Sequence, residues 1–271
     1  MLVFPPVFAP VLASQGGEPD AKWIETVVPR MATPEAQLGH ARRLKRELGT
    51  KQGEEIAFWR KLAVEAYQAV RVFHPGAKAL AAEAAFRAGE ILRAGEEPER
   101  ALAEFRWCVS AGQGTDFRAR ARLEIGHLER RAERWREALE AYMDVTADAR
   151  AAPARRDEGW LWAGTVWQAL ERPEEARSAW RRLAEQGSED LLRIEAFDEL
   201  ALAWLAADDP EAAAGELARC LELLSPRALE ETETGERVRN ALLRMRIVSE
   251  LPRALARRAS TNDAPRSSRS P

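Results

Sequence analysis

Apolar residues recur at intervals of three and four through most of the chain. Between Glu54 and Phe73, Ile56, Trp59, Leu62, Ala63, Ala66, Tyr67, Val70 and Phe73 share one face, which is the period of an amphipathic helix and not of a strand. His74-Pro75-Gly76 stops that helix. A shorter one is predicted from Pro34 to Leu48, with proline at its first position and Glu35 in its first turn, before Gly49 and Gly53 break it. Together they predict an N-terminal helical hairpin over residues 34–78.

Beyond residue 78 the pattern repeats at long range. A small residue is followed twelve positions later by alanine in Gly89/Ala101, Gly126/Ala138, Gly164/Ala176 and Ala201/Ala213, and successive copies lie 37, 38 and 37 residues apart. Such regularity predicts four helical hairpins, over residues 79–226, each burying its apolar face on its neighbours. The first unit contributes Leu92, Phe105 and Cys108, and the second Trp135, Tyr142 and Val145. The third supplies Trp160, Trp167, Trp180 and Leu183, and the fourth Phe197, Trp204, Leu217 and Cys220. Residues 227–258, with Leu229, Val238, Leu242, Met245, Val248 and Leu251, predict one or two helices capping the last hairpin. Residues 14–33 read as a linker with a short docking segment around Trp23 and Ile24, and 259–271 as a disordered tail.

Residues 160–167 read W-x2-A-G-x2-W, which resembles the tetratricopeptide repeat pattern W-x2-L-G-x2-Y on helix A, followed by A-x3-F-x2-A on helix B. The period of 37 or 38 exceeds that family's usual 34, and longer loops between repeats are expected to hold the extra residues. Glu129 stands in the tyrosine place of the second unit, and only the fourth ends in the expected proline, Pro226. The resemblance implies an all-α fold, an α-solenoid of TPR-like helix-turn-helix repeats wound as a right-handed superhelix. It further implies a concave groove lined by Phe86, Glu90 and Arg93, then Leu123, His127 and Arg130, then Leu161, Trp162, Thr165 and Gln168, then Asp198, Leu202 and Leu205. Charged in its first half and more apolar in its second, that lining suits an extended peptide or a partner helix. Trp162, two residues after Trp160, is the expected anchor. The Lys and Asn clamp by which chaperone-binding members grip a C-terminal carboxylate is missing.

Composition narrows the function classes. With 41 basic and 44 acidic residues the net charge is −3, the mixture expected of solvated helix faces, and no nucleic-acid partner is expected. Cys108 and Cys220 each follow their repeat alanine by seven residues and so occupy equivalent core places. Stacked helices about 10 Å wide would hold them roughly 20–30 Å apart, beyond the about 7 Å a disulfide spans. His40, His74 and His127 lack metal-site spacing, and no GxSxG, GxxxxGK[ST] or strand-linked GxGxxG occurs. No catalytic, cofactor-binding or metal-binding residue is therefore assigned, and no enzyme is expected. The basic residues Arg253, Arg257, Arg258, Arg266 and Arg269 lack interleaved aromatics and read as a solubilising end.

Residues 1–13, MLVFPPVFAPVLA, are uncharged and end in small residues, so they read as the remnant of a secretory signal peptide. They fall short of the about 20 apolar residues of a membrane span. Export to the periplasm or cell envelope is the expectation, with the cytoplasm as the alternative. The expected function is a non-catalytic scaffold holding a protein or peptide in its groove. The alternatives are a self-associating homo-oligomeric module and, less favoured, an accessory domain of an enzyme complex.

Overall fold

The computed structural model describes residues 20–262, with side chains for 20–258. The signal-peptide segment and residues 263–271 of the tail lie outside the described residues. Thirteen helices and no strand are present among those described. They are α1 (Ala21–Val27), α2 (Pro34–Leu48), α3 (Glu55–Phe73), α4 (Lys78–Ala94), α5 (Pro98–Ala111), α6 (Asp116–Arg131) and α7 (Trp135–Ala147), then α8 (Pro153–Ala169), α9 (Pro173–Gln186), α10 (Asp190–Ala206), α11 (Pro210–Ala228), α12 (Glu233–Leu243) and α13 (Ile247–Asn262). Two compact units divide between Ala121 and Arg122. In the first, α1 and α2 pack on α3, α3 on α4, and α4 on α5. In the second, α7 to α11 pack consecutively, and α12 and α13 lie on α10 and α11. Consecutive helices thus pair as hairpins, as the spacing predicts.

The repeat glycines have a more specific job than letting backbones approach. A Cβ on Gly89 would lie 2.6 Å from the ring of Phe105, one on Gly126 2.5 Å from Tyr142, and one on Gly164 2.4 Å from Trp180. Each ring sits four residues after the repeat alanine of its hairpin and is fully buried. The missing side chain is the space the aromatic fills, in a core too dense to yield a methyl group elsewhere. In the fourth unit Ala201 replaces the glycine and Leu217 the ring, a smaller group opposite a larger one.

The same 37, 38, 37 spacing recurs in a feature that patterning did not reveal. Glu96, Glu133, Glu171 and Asp208 have φ of 60°, 56°, 59° and 59°, in the left-handed region. Each ends helix A of its unit. The next amide then bonds five residues back, Glu97 to Leu92, Arg134 to Glu129, Arg172 to Trp167 and Asp209 to Trp204. These bonds satisfy the last carbonyls of helix A in a Schellman arrangement. Pro98, Pro173 and Pro210 then open helix B, at a position needing no amide donor.

Long loops do not explain the long period. Turns within hairpins occupy 95–97, 132–134, 170–172 and 207–209, and the connections between repeats only 112–115, 148–152 and 187–189. The extra residues lie in the helices instead, since α4, α6 and α8 have 17, 16 and 17 residues.

Both ends of the described segment are tied down. Ile24 and Val28 are buried, and the fully buried Gln37 accepts the Met31 amide at 2.8 Å and donates to the Pro29 carbonyl at 3.2 Å. The indole of Trp23 donates to Glu65 at 2.7 Å. Residues 20–33 are thus docked on the first hairpin, through the segment around Trp23 and Ile24 that the sequence marks for docking and on through Val28 and Gln37. At the other end Asp198 accepts the amides of Ile247 at 2.9 Å and Arg246 at 3.1 Å, fastening the start of α13 to α10. Met245, Ile247 and Leu251 join the core there. Residues 259–262, read as tail, continue α13.

Candidate functional site

The thirteen residues assigned to a groove separate by their place on helix A. Three positions before each small residue stand Phe86, Leu123, Leu161 and Asp198, and all four are buried. They cannot meet a partner, which corrects their assignment. Phe86 packs between Phe105 and Phe117, with ring centroids 5.6 and 5.5 Å away. Leu161 offers its carbonyl to the Trp180 indole at 3.1 Å, and Asp198 is consumed by α13. One helical turn later the environment changes. Glu90, His127, Thr165 and Leu202, one position after the small residue, are all half-buried, as are Arg93, Arg130 and Leu205 three positions further on, while Gln168 is exposed. Leu202 and Leu205 pack against the core cluster to which α12, α13 and the turn between them contribute Val238, Leu242, Met245, Ile247 and Leu251.

Between the second and third units three of the assigned residues converge. The rings of His127 and Trp162 meet edge-on at 5.2 Å, and the Arg130 guanidinium lies 4.5 Å over Trp162. Nδ1 of His127 is 2.7 Å from the Tyr142 hydroxyl, and its Nε2 is 3.8 Å from Glu158. The set is satisfied when Tyr142 donates to Nδ1 and the Nε2–H faces the carboxylate. Arg155 donates to Glu158 at 3.2 Å. Burial alone would raise the Glu158 pKa, but the neighbouring His127 imidazole and the charge of Arg155 outweigh it and hold it below the usual carboxylate range. Burial pushes the Tyr142 phenol up. Sequence reasoning missed Tyr142, Arg155 and Glu158. One signal was available, since Glu158 precedes Trp162 by four residues and so shares its helix face.

In the first unit Glu90 is the centre. Arg87 donates to it at 2.8 Å, and Lys45 and Arg120 stand 3.7 and 3.9 Å away. On the same helix Glu83 accepts from Arg42 at 2.5 Å.

Tryptophan is mostly sheltered. Trp180 is fully buried, and Trp160, Trp167 and Trp204 pack against the core. Cations cover Trp23, Trp59, Trp107, Trp160, Trp162 and Trp204, from Lys61, Lys51, Arg71, Arg182, Arg130 and Arg177 respectively. Trp162 is thus a half-buried ring with one face already occupied. Cys108 and Cys220 are free and buried, and burial pushes both thiols up to about 12.

Among the described residues no group of three or more His, Cys, Asp or Glu could hold a metal ion. No described helix is long and apolar enough to cross a membrane. Two shallow depressions, of about 510 Å³ beside Val28 and Phe73 and about 440 Å³ beside Leu139 and Leu170, include none of the thirteen residues.

No family model matches the sequence, and no curated protein matches it. Solved structures do. The MamA protein is 15% identical with a TM-score of 0.52, over 73% of this chain and 97% of MamA. Kinesin light chain nearly identical TPR-like repeats from Podosopora anserina are 16% identical at 0.52, over 74% of this chain and all of theirs. BtubC (BKLC) from P. vanneervenii is 16% identical at 0.51, over 89% and 97%. Identities this low speak for architecture alone. With its paired helices, its glycine–aromatic hairpins and these neighbours, the chain has the all-α fold of TPR-like repeat proteins.

Proposed function

We propose that this protein is a non-catalytic scaffold that holds a protein or peptide partner on the exposed faces of its helices A. The observation that carries the reading is positional. In all four units the residue after the repeat small residue is half-exposed, whereas the residue one turn earlier is buried. His127, Arg130 and Trp162 are held by mutual stacking, so ordering them on binding costs little. An extended segment or an amphipathic helix is the shape such a face accepts. Trp162→Ala is expected to leave helicity unchanged by circular dichroism while abolishing capture of the partner from the native host. Undiminished capture would remove this face from the reading.

Export to the periplasm or cell envelope belongs to the same proposal, supported by the uncharged segment ending Val11-Leu12-Ala13. Fusion of that segment to a reporter active only outside the cytoplasm tests it, and an inactive fusion favours the cytoplasm. A second reading, self-association, draws on Leu229 and Leu243, which are 80% and 75% exposed, and on the exposed Val248 and Leu255. Light scattering over a concentration series separates it, because a constant monomer mass contradicts it.

A further inference from the structure

We infer that the helix-A face of the first unit docks an acidic peptide segment, an inference that rests on the scaffold reading and names its partner's chemistry. Arg42, Lys45, Glu83, Arg87, Glu90 and Arg120 form one network across α2, α4 and the first turns of α6. Four cations face two carboxylates. Arg87 donates to Glu90 at 2.8 Å, whereas Lys45 at 3.7 Å and Arg120 at 3.9 Å stand beyond hydrogen-bond reach of it. Two positive charges are therefore left over at side chains between a quarter and a half exposed.

One of the two left-over cations is already placed for a ligand. The Arg120 guanidinium lies 4.4 and 5.4 Å from the ring centroids of Phe86 and Phe117, beside Arg87, which stacks on the same rings while donating to Glu90. A stacked guanidinium keeps its N–H edge available for a carboxylate in its plane and has already given up rotamer freedom. A segment carrying two or more carboxylates matches this charge. Single-stranded nucleic acid matches it less well, because it needs bare aromatic faces for its bases, and here guanidiniums lie over both rings.

The probe is fluorescein-labelled hexaglutamate, titrated with the full chain at low salt and followed by anisotropy. Binding is expected, weakening as salt is added. Arg120→Gln and Lys45→Gln should each weaken it by about three- to tenfold. Arg219→Gln, in an exposed pair with Glu222 on α11 of the fourth unit, should leave it unchanged. Should Arg120→Gln lose helicity, the half-buried Lys45 keeps the test available. No binding of hexaglutamate, or equal binding by the Arg219 and Lys45 variants, overturns the inference. Tighter binding of a labelled oligothymidylate, weakened by Lys45→Gln, also overturns it in favour of nucleic acid. If hexaglutamate fails while Trp162→Ala still abolishes partner capture, the acidic segment is wrong and the scaffold stands; if both fail, the scaffold falls too.

Discussion

Glu104→Ala is expected to destabilise the protein by about 3–5 kcal/mol, as breaking one half of a buried ion pair does. Glu104 on α5 is 4% exposed, and it accepts from Arg71 on α3 at 2.5 and 2.9 Å and from Gln68 at 2.6 Å. The same guanidinium lies 4.7 Å over Trp107. Alanine would strand a cation that is itself almost fully covered. Replacing both partners at once, Arg71→Met with Glu104→Leu, should restore most of the loss, because the cost lies in the unpaired charge and not in the absence of the bridge. Glu222→Ala breaks the exposed pair with Arg219 and should cost under about 0.5 kcal/mol. Urea denaturation followed by circular dichroism measures all three. A loss under about 1 kcal/mol for Glu104→Ala would mean the N-terminal hairpin is held to the first repeat by packing alone.

Gly164→Ala is expected to destabilise by about 1–2 kcal/mol, although alanine is the better helix former by about 1 kcal/mol. Overpacking typically costs about 1–3 kcal/mol, and here the added Cβ would lie 2.4 Å from the indole of Trp180. That ring cannot swing aside, since it is fully buried and donates to the Leu161 carbonyl. Gly39→Ala in α2 and Gly215→Ala in α11 should do the opposite. Nothing lies within 4 Å of a Cβ at either place, so only the propensity gain of about 0.5–1 kcal/mol remains. The fourth unit supplies the rescue, for Ala201 already lives opposite Leu217. In a Trp180→Leu background Gly164→Ala should become tolerated, with a coupling energy of at least about 1 kcal/mol. Additive losses would show that the glycine and the ring are not partners.

The architecture was legible because a repeat writes the same steric solution four times. Gly89, Gly126 and Gly164 mark helix A, and the alanines mark helix B, in the sequence itself. The rings they accommodate read as core residues from the same pattern, but their pairing with the glycines needs the third dimension. The positive-φ positions were equally regular, yet acidic residues stand where glycine is the familiar signal for that conformation. The helix-A face was half legible. Residues one turn apart lie on nearly the same stripe, so Phe86, Leu123 and Leu161 were assigned with Glu90, His127 and Thr165, and only packing against helix B separates them. Asp198 looked like an open carboxylate because its partner amides at Arg246 and Ile247 come almost fifty residues later. Lys45 and Arg120 escaped notice for a similar reason. They reach Glu90 from helices on either side of α4, and sequence periodicity says nothing about charges brought together by stacking.

The central claim, that a partner is held on the helix-A faces, is tested most directly by site-specific photo-crosslinking in the native host. A benzophenone amino acid is placed at Gln168, exposed on helix A of the third unit, and separately at Arg219, exposed on helix B of the fourth. The scaffold reading predicts one discrete protein adduct from position 168 and none from position 219. An adduct from 219 with none from 168 would contradict it.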